Sequence, residues 1–192
     1  MIGIAHKGYK TMREVTKTYK VYKYEELSDK AKERALENHN DNDDLSFILP
    51  ETLKNDLNYF LEENKIEELN NKHVHYSLNY CQGDGCCFVG TYRWKDYNIK
   101  IIYYGYYSYH RSVYFEFENT AEIPDGWTEA DQDAKMDEDE TEFKYIYKDI
   151  CLKLEKSGYN EIEYQQSETN FKELCDGNNW EFLENGERWN ND

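Results

Sequence analysis

HYSLNYCQGDGCCFVGTYRW, residues 75–94, decides how the middle of this chain is read. Before its glycines, Val74, Tyr76, Leu78 and Tyr80 alternate with His73, His75, Ser77 and Asn79, the period of two that belongs to a half-buried strand. After them, a second apolar run passes through Phe88 to Tyr92. Gln82, Gly83, Asp84 and Gly85 in between are turn chemistry: the glycines tolerate positive φ, and Gln82 or Asp84 can bond the loop backbone. The string is expected to fold one strand back onto the next.

Two chemical readings compete with the turn. Cys81, Cys86 and Cys87 with His73 and His75 could supply ligands to zinc, but C-x4-C-C lacks the C-x2-C spacing and the two histidines lie opposite the apolar face. A nucleophile at Cys86 or Cys87 needs a positioned base, with His75 or His110 the candidates. Asp84 is too solitary for a calcium loop, and a phosphate cradle needs several N–H groups ahead of a helix, where here a strand follows. The expectation is a structural turn with no metal, no cofactor and no catalytic residue. A cysteine- or metal-dependent enzyme using 81–87 is the alternative.

Outward from this turn, YNIKIIYY (97–104) and SVYFEFE (112–118) read as two further strands, making an antiparallel meander. EVTKTYKVYKY (14–24) also reads as a strand. Ser28 is the expected N-cap of a helix ending near His39, followed by a loop at 40–44. A second helix follows Pro50, with Leu53, Leu57, Phe60 and Leu61 on one face. From Thr128 a helix carries Phe143, Ile146, Tyr147, Ile150, Cys151 and Leu154 as its buried stripe, with Gly158 as its expected stop. A short helix spans 168–176, and Asn185-Gly186 signals a hairpin in WEFLENGERW. The expected fold is α+β: a meander of about four to six strands with helices on one face. One domain is expected over 1–192, with an acidic helical elaboration at about 125–158 and a C-terminal helix plus hairpin at 167–190.

Composition sets the boundary conditions. Of 192 residues 33% are charged, yet 19 Tyr, 8 Phe and 4 Trp supply enough ring surface for a core that must be largely tyrosine. No apolar stretch approaches the roughly 18 residues of a membrane helix, and the N-terminus lacks a secretion signal. Five cysteines, an odd number, suit a reduced, cytoplasmic protein. The net charge of −17 is lopsided: residues 1–117 carry 18 acids against 16 bases, and 118–192 carry 22 against 7. That asymmetry is the strongest physical signal in the chain.

Most of the excess surrounds EADQDAKMDEDETE (129–142), eight acids with one lysine. It reads as a solvated helix face, as a cation site lacking the D-x-D-x-D-G pattern, or as an imitation of the nucleic-acid backbone. Glu129, Asp131, Asp133, Asp137, Glu138, Asp139, Glu140 and Glu142 are the candidate partner-binding acids. Tyr106, Tyr107 and Tyr109, in the aromatic run 103–117, are their candidate companions. Core packing is the competing reading of that run, and base stacking is disfavoured because the chain as a whole repels phosphate.

YKYEELSDKAKERAL, YSLNYCQGDGCCFVG, YYSYHRSVYFEFE and NNWEFLENGERW occur in an order that resembles a family of small bacteriophage and prophage proteins. The family is marked by S-x-x-Y/W-x-Q-G-D-G-x-x-F and a closing F-x-E/D-N/D-G; Ser77, Gln82, Gly83, Asp84, Gly85, Phe88, Phe182 and Gly186 carry the likeness. It transfers no catalytic residue. It implies a host-cell protein whose partner is a bacterial defence protein or ribonucleoprotein with a basic nucleic-acid channel, most plausibly CRISPR–Cas, without direct nucleic-acid or membrane binding. Binding of a host regulator through the tyrosines is a further alternative.

Overall fold

The computed structural model describes residues 16–42, 45, 47–105, 109–122 and 124–190. In chain order its elements are α1 (Asp29–Asn42), α2 (Ile48–Glu63), β1 (Glu67–Ser77), β2 (Gly85–Trp94), β3 (Tyr97–Tyr103), β4 (Val113–Asn119), α3 (Glu129–Gln165) and α4 (Glu168–Gly177). They build two compact units, Asn42–Asn170 and Met1–Asp41 with Phe171–Asp192.

The unit Asn42–Asn170 is the α+β meander. Its single four-stranded sheet runs in the order β1-β2-β3-β4, every neighbour antiparallel, with Tyr76 opposite Cys86, Trp94 opposite Tyr97 and Ile101 opposite Phe115. α3 covers the face that carries the large rings. Phe143 meets Trp94, Phe115 and Phe117 at ring distances of 5.3, 6.0 and 5.7 Å, and Tyr147 meets Phe88 and Phe115 at 4.6 and 5.0 Å. Tyr147 buries its ring completely yet donates its phenol to the Phe88 carbonyl at 3.0 Å. That pairing lets a tyrosine-rich core form without an orphaned hydroxyl, whose burial would cost about 1–3 kcal/mol. The other face is solvated and held by cross-strand polar pairs, Lys100–Glu116 at 3.0 Å and Asn98–Glu118 at 3.3 Å.

α2 packs beside α3 and against β1, burying Leu49, Leu53, Leu57 and Leu61 at intervals of four. It starts two residues before Pro50, which is tolerated in the first turn because the N–H it lacks has no intrahelical partner there. β1 starts at Glu67 and stops at Ser77, so Leu78 and Tyr80, expected within the strand, lie beyond its end. Tyr80 turns the chain with a left-handed φ of +55°.

Gly158 is the clearest departure from expectation. It does not stop α3, which continues to Gln165. Gly158 is buried, and a Cβ there would stand 2.3 Å from Leu78 Cδ1 and 3.4 Å from Leu53 Cδ2. Its small size admits neighbouring side chains to the helix surface, and no cap is formed.

In the other unit, Ser28 Oγ accepts from the Ala31 N–H at 3.4 Å, and α1 runs on to Asn42, past the expected end near His39. Tyr24, Leu27, Ala31, Ala35, Phe171, Cys175 and Phe182 form its core. The strand expected at 14–24 is not formed over its described part: Tyr22 makes one bridge, to Phe182, and Tyr24–Glu26 is a 3-10 turn. Val-, Thr- and Tyr-rich sequence needs a neighbouring strand to pair with, and among the described residues Phe182 alone offers a bridge. The closing turn does form. Leu183 and Glu187 are joined N–H to O at 2.8 Å, with Gly186 at φ +86° and Arg188 bridged to Phe182.

Candidate functional site

The acidic run 129–142 is the N-terminal third of α3. Thr128 caps it: Thr128 Oγ1 accepts from the Asp131 N–H at 3.2 Å, and Asp131 Oδ2 accepts from the Thr128 N–H at 2.8 Å. Asp131 is thereby committed to the helix start, where its charge also suits the helix dipole.

Asp139 is committed more deeply. It is only 3% exposed, and it accepts from Lys95 at 2.7 Å, Lys135 at 3.0 Å and the Tyr97 hydroxyl at 3.2 Å. Burial opposes its ionisation, but the two lysines outweigh burial and hold its carboxyl below the usual range. Lys95 also pairs with Glu142, Lys144 with Glu140, and Lys135 with Glu138 at 3.4 Å. Five of the eight candidate acids thus have internal partners: Asp139, Glu142, Glu140 and Glu138 in ion pairs, and Asp131 in the cap.

Glu129, Asp133 and Asp137 are exposed and make no ion pair among the described residues. Spaced four apart, they follow one stripe of the helix at intervals of about 6 Å.

The structure does not join the acids to Tyr109. Asp139 is anchored at Lys95 and Tyr97, beside one end of β2, whereas Tyr109 packs against Gly85 at the other end. The ten residues of β2 span about 30 Å. Tyr109 is half-buried and stacks on Tyr103 at 5.6 Å, so it serves the packing of the sheet. Tyr106 and Tyr107 lie outside the described residues.

The meander turn is built around Asp84. Its Oδ2 accepts from the Asn79 N–H at 2.7 Å, the Cys81 N–H at 2.9 Å and the Tyr159 hydroxyl at 2.6 Å; its Oδ1 accepts from Ser77 Oγ and Cys81 Sγ, each at 3.1 Å. Burial works against the charge, but these donors overcome it and hold the carboxyl far below the usual range. Gln82 is exposed, and Gly83 is not the left-handed residue of the connection; Tyr80 is. Gly85 is needed for space, since a Cβ would meet Tyr109 Cδ2 at 3.3 Å.

Cys86 and Cys87, the candidate nucleophiles of this string, are poorly placed for such work. Cys86 and Cys87 are fully buried, and burial pushes the Cys87 thiol up to about 12 and the Cys86 thiol higher still. His73 and His75 stand with rings 4.6 Å apart, but among the described residues no group of three or more His, Cys, Asp or Glu is arranged to hold a metal ion.

No protein-family model, no curated protein and no solved structure matches this chain. The parts that sequence reasoning missed are the partners: Lys95, Lys135 and Tyr97 around Asp139, and Ser77 and Tyr159 around Asp84. Tyr97 and Tyr159 lie 42 and 75 residues from the acids they bond, so no local pattern marks them.

Proposed function

We propose that this chain is a non-enzymatic inhibitor that docks the exposed carboxylates of α3 on a basic, nucleic-acid-binding surface of a bacterial defence complex, with CRISPR–Cas the first system to test. The stripe of Glu129, Asp133 and Asp137 supports this reading, because three charges without internal partners repel one another at helix spacing unless a cation settles among them. Charge density supports it as well. Without the buried Asp139, seven carboxylates over 14 residues average one per about 3 Å of helix axis, near the 3.4 Å per phosphate of one DNA strand. A phage or prophage origin rests on the resemblance carried by Ser77, Gln82, Gly83, Asp84, Gly85, Phe88, Phe182 and Gly186. Among the described residues no helix is long and apolar enough to cross a membrane, which fits a partner met away from the bilayer.

The test is competition. Purified defence effectors are titrated with this chain and with guide or target nucleic acid across a salt series. The triple variant Glu129→Gln, Asp133→Asn, Asp137→Asn is expected to lose most of the inhibition and to flatten its salt dependence. Full inhibition by the triple variant, with an unchanged salt slope, refutes this mechanism.

A further inference from the structure

β4 is an edge of the sheet, and its free side lacks a neighbour. The Thr120 N–H donates to the Asp96 carbonyl at 2.8 Å, and the Tyr104 N–H to the Ser112 carbonyl at 3.2 Å. Both bonds belong to the register that sets Ile101 opposite Phe115 and Ile99 opposite Phe117. Bonded and non-bonded pairs alternate along an antiparallel ladder. The backbone groups of Tyr114, Glu116 and Glu118 therefore face β3, and those of Val113, Phe115 and Phe117 face away from it. Among the described residues, the N–H and C=O groups of Val113, Phe115 and Phe117 have no hydrogen-bond partner.

The side chains of the same residues are incompletely covered. Ile99 and Ile101 on β3 are 0% and 2% exposed, yet Phe117 and Phe115 opposite them stay only half-buried, although Phe143 packs on both. On the outer face Tyr114, Glu116 and Glu118 stand exposed. Glu116 pairs with Lys100, but Glu118 makes no ion pair among the described residues. Neither a proline nor a bulge interrupts β4, so two of the devices that blunt sheet edges are missing.

We infer that this edge takes up an extended segment of a partner protein as a fifth, antiparallel strand, with apolar residues on its α3 side alternating with lysine or arginine on its outer side. Residues opposite Val113, Phe115 and Phe117 exchange both backbone bonds with them, and their side chains cover the two rings. The residues between them lie beside Tyr114, Glu116 and Glu118, where a cation meets the carboxylates and the tyrosine face. A second copy of β4 fits less well, because it would gather both copies' Glu116 and Glu118 at one seam between chains of net charge −17. The stripe of Glu129, Asp133 and Asp137 takes no part. The inference therefore stands apart from the proposed docking of α3.

The experiment is amide hydrogen exchange of the full chain, followed residue by residue by NMR. The probe is a capped heptapeptide alternating lysine and valine, matched to the seven residues of β4. Without peptide, the Phe115 and Phe117 amides are expected to exchange at least about tenfold faster than those of Tyr114 and Glu116, which β3 protects. One strand makes an interface well below the roughly 1,200 Å² of stable complexes, so a Kd of about 100 μM is expected. At about 1 mM peptide the Phe115 and Phe117 amides then slow about tenfold. The same peptide N-methylated at its valines, and one alternating glutamate and valine, are expected to leave the rates unchanged. The variant Glu116→Gln, Glu118→Gln is expected to bind the lysine peptide at least about threefold more weakly. Unchanged exchange with the lysine peptide overturns the inference, as does equal slowing by either control peptide or undiminished binding by the variant. Protection of Phe115 and Phe117 that grows with protein concentration in the absence of peptide also overturns it, and assigns the edge to a second copy.

Discussion

Tyr159 donates its phenol to Asp84 at 2.6 Å, and so ties the turn between β1 and β2 to a helix 75 residues further along the chain. The same carboxylate closes the turn through the Asn79 and Cys81 amides. One aspartate thereby sets both the local bend and the seat of α3 on it, with Tyr80 and Tyr159 in ring contact at 4.8 Å beside it.

Asp84→Asn is expected to lower stability by about 1–3 kcal/mol, because it leaves donors facing an amide N–H. Tyr159→Phe removes one of these bonds and is expected to cost about 1 kcal/mol. Urea titration at pH 7 measures both.

Acid sensitivity follows from the same charges. Asp84 and Asp139 have folded-state pKa values below their unfolded ones, so their contribution is present above about pH 4 and lost as pH falls through the folded values. Glu155 behaves oppositely: burial, and then the Asp84 charge, raise its pKa. Glu155→Gln is therefore expected to stabilise the protein at pH 7 and to have little effect below the pKa of an unfolded glutamate. Urea midpoints of wild type and variants between pH 3 and 7 check the three signs.

The acids of α3 divide into two kinds with opposite effects on stability. Asp139→Ala strips Lys95, Lys135 and Tyr97 of their shared acceptor and is expected to cost about 2 kcal/mol, tempered by the solvent access of Lys95. Neutralising Glu129, Asp133 and Asp137 relieves two repulsive i,i+4 contacts and is expected to gain about 0.5–1 kcal/mol. Thermal melts rank the two variants; equal losses from both would contradict the division.

Glycine substitutions separate backbone from side-chain crowding. At Gly186, with φ +86°, a Cβ would stand 2.2 Å from the Ala31 carbonyl oxygen, and Gly186→Ala is expected to cost about 2–3 kcal/mol. At Gly158 the nearest atom is the mobile end of Leu78, and alanine suits a helix better by about 1 kcal/mol, so Gly158→Ala is expected to fall within about 1 kcal/mol of neutral. Chemical denaturation of the pair decides.

Thiol chemistry gives the fastest check of the packing. Cys81 is exposed, and Cys86, Cys87, Cys151 and Cys175 are buried. An aromatic disulfide reagent is expected to titrate one thiol of the five in the native protein and all five in denaturant.

Period-two alternation, two aromatic strands and a glycine turn were enough to read the meander, because each strand's apolar face is written in its own residues. Leucines every four residues placed α2, and the helical pattern from Thr128 placed the start of α3, since amphipathic faces are local. Other features depend on what arrives from a distance. Gly158 looks like a helix stop until Leu78 and Leu53 fill the space above it. Residues 14–24 look like a strand, but a strand exists only where another chain segment meets its hydrogen bonds. Asp139 and Asp137 are interchangeable in the sequence; only the fold, by bringing Lys95 and Tyr97 to one of them, makes the first part of the scaffold and leaves the second free. Local propensity is a property of neighbouring residues, whereas burial and charge pairing belong to the assembled chain.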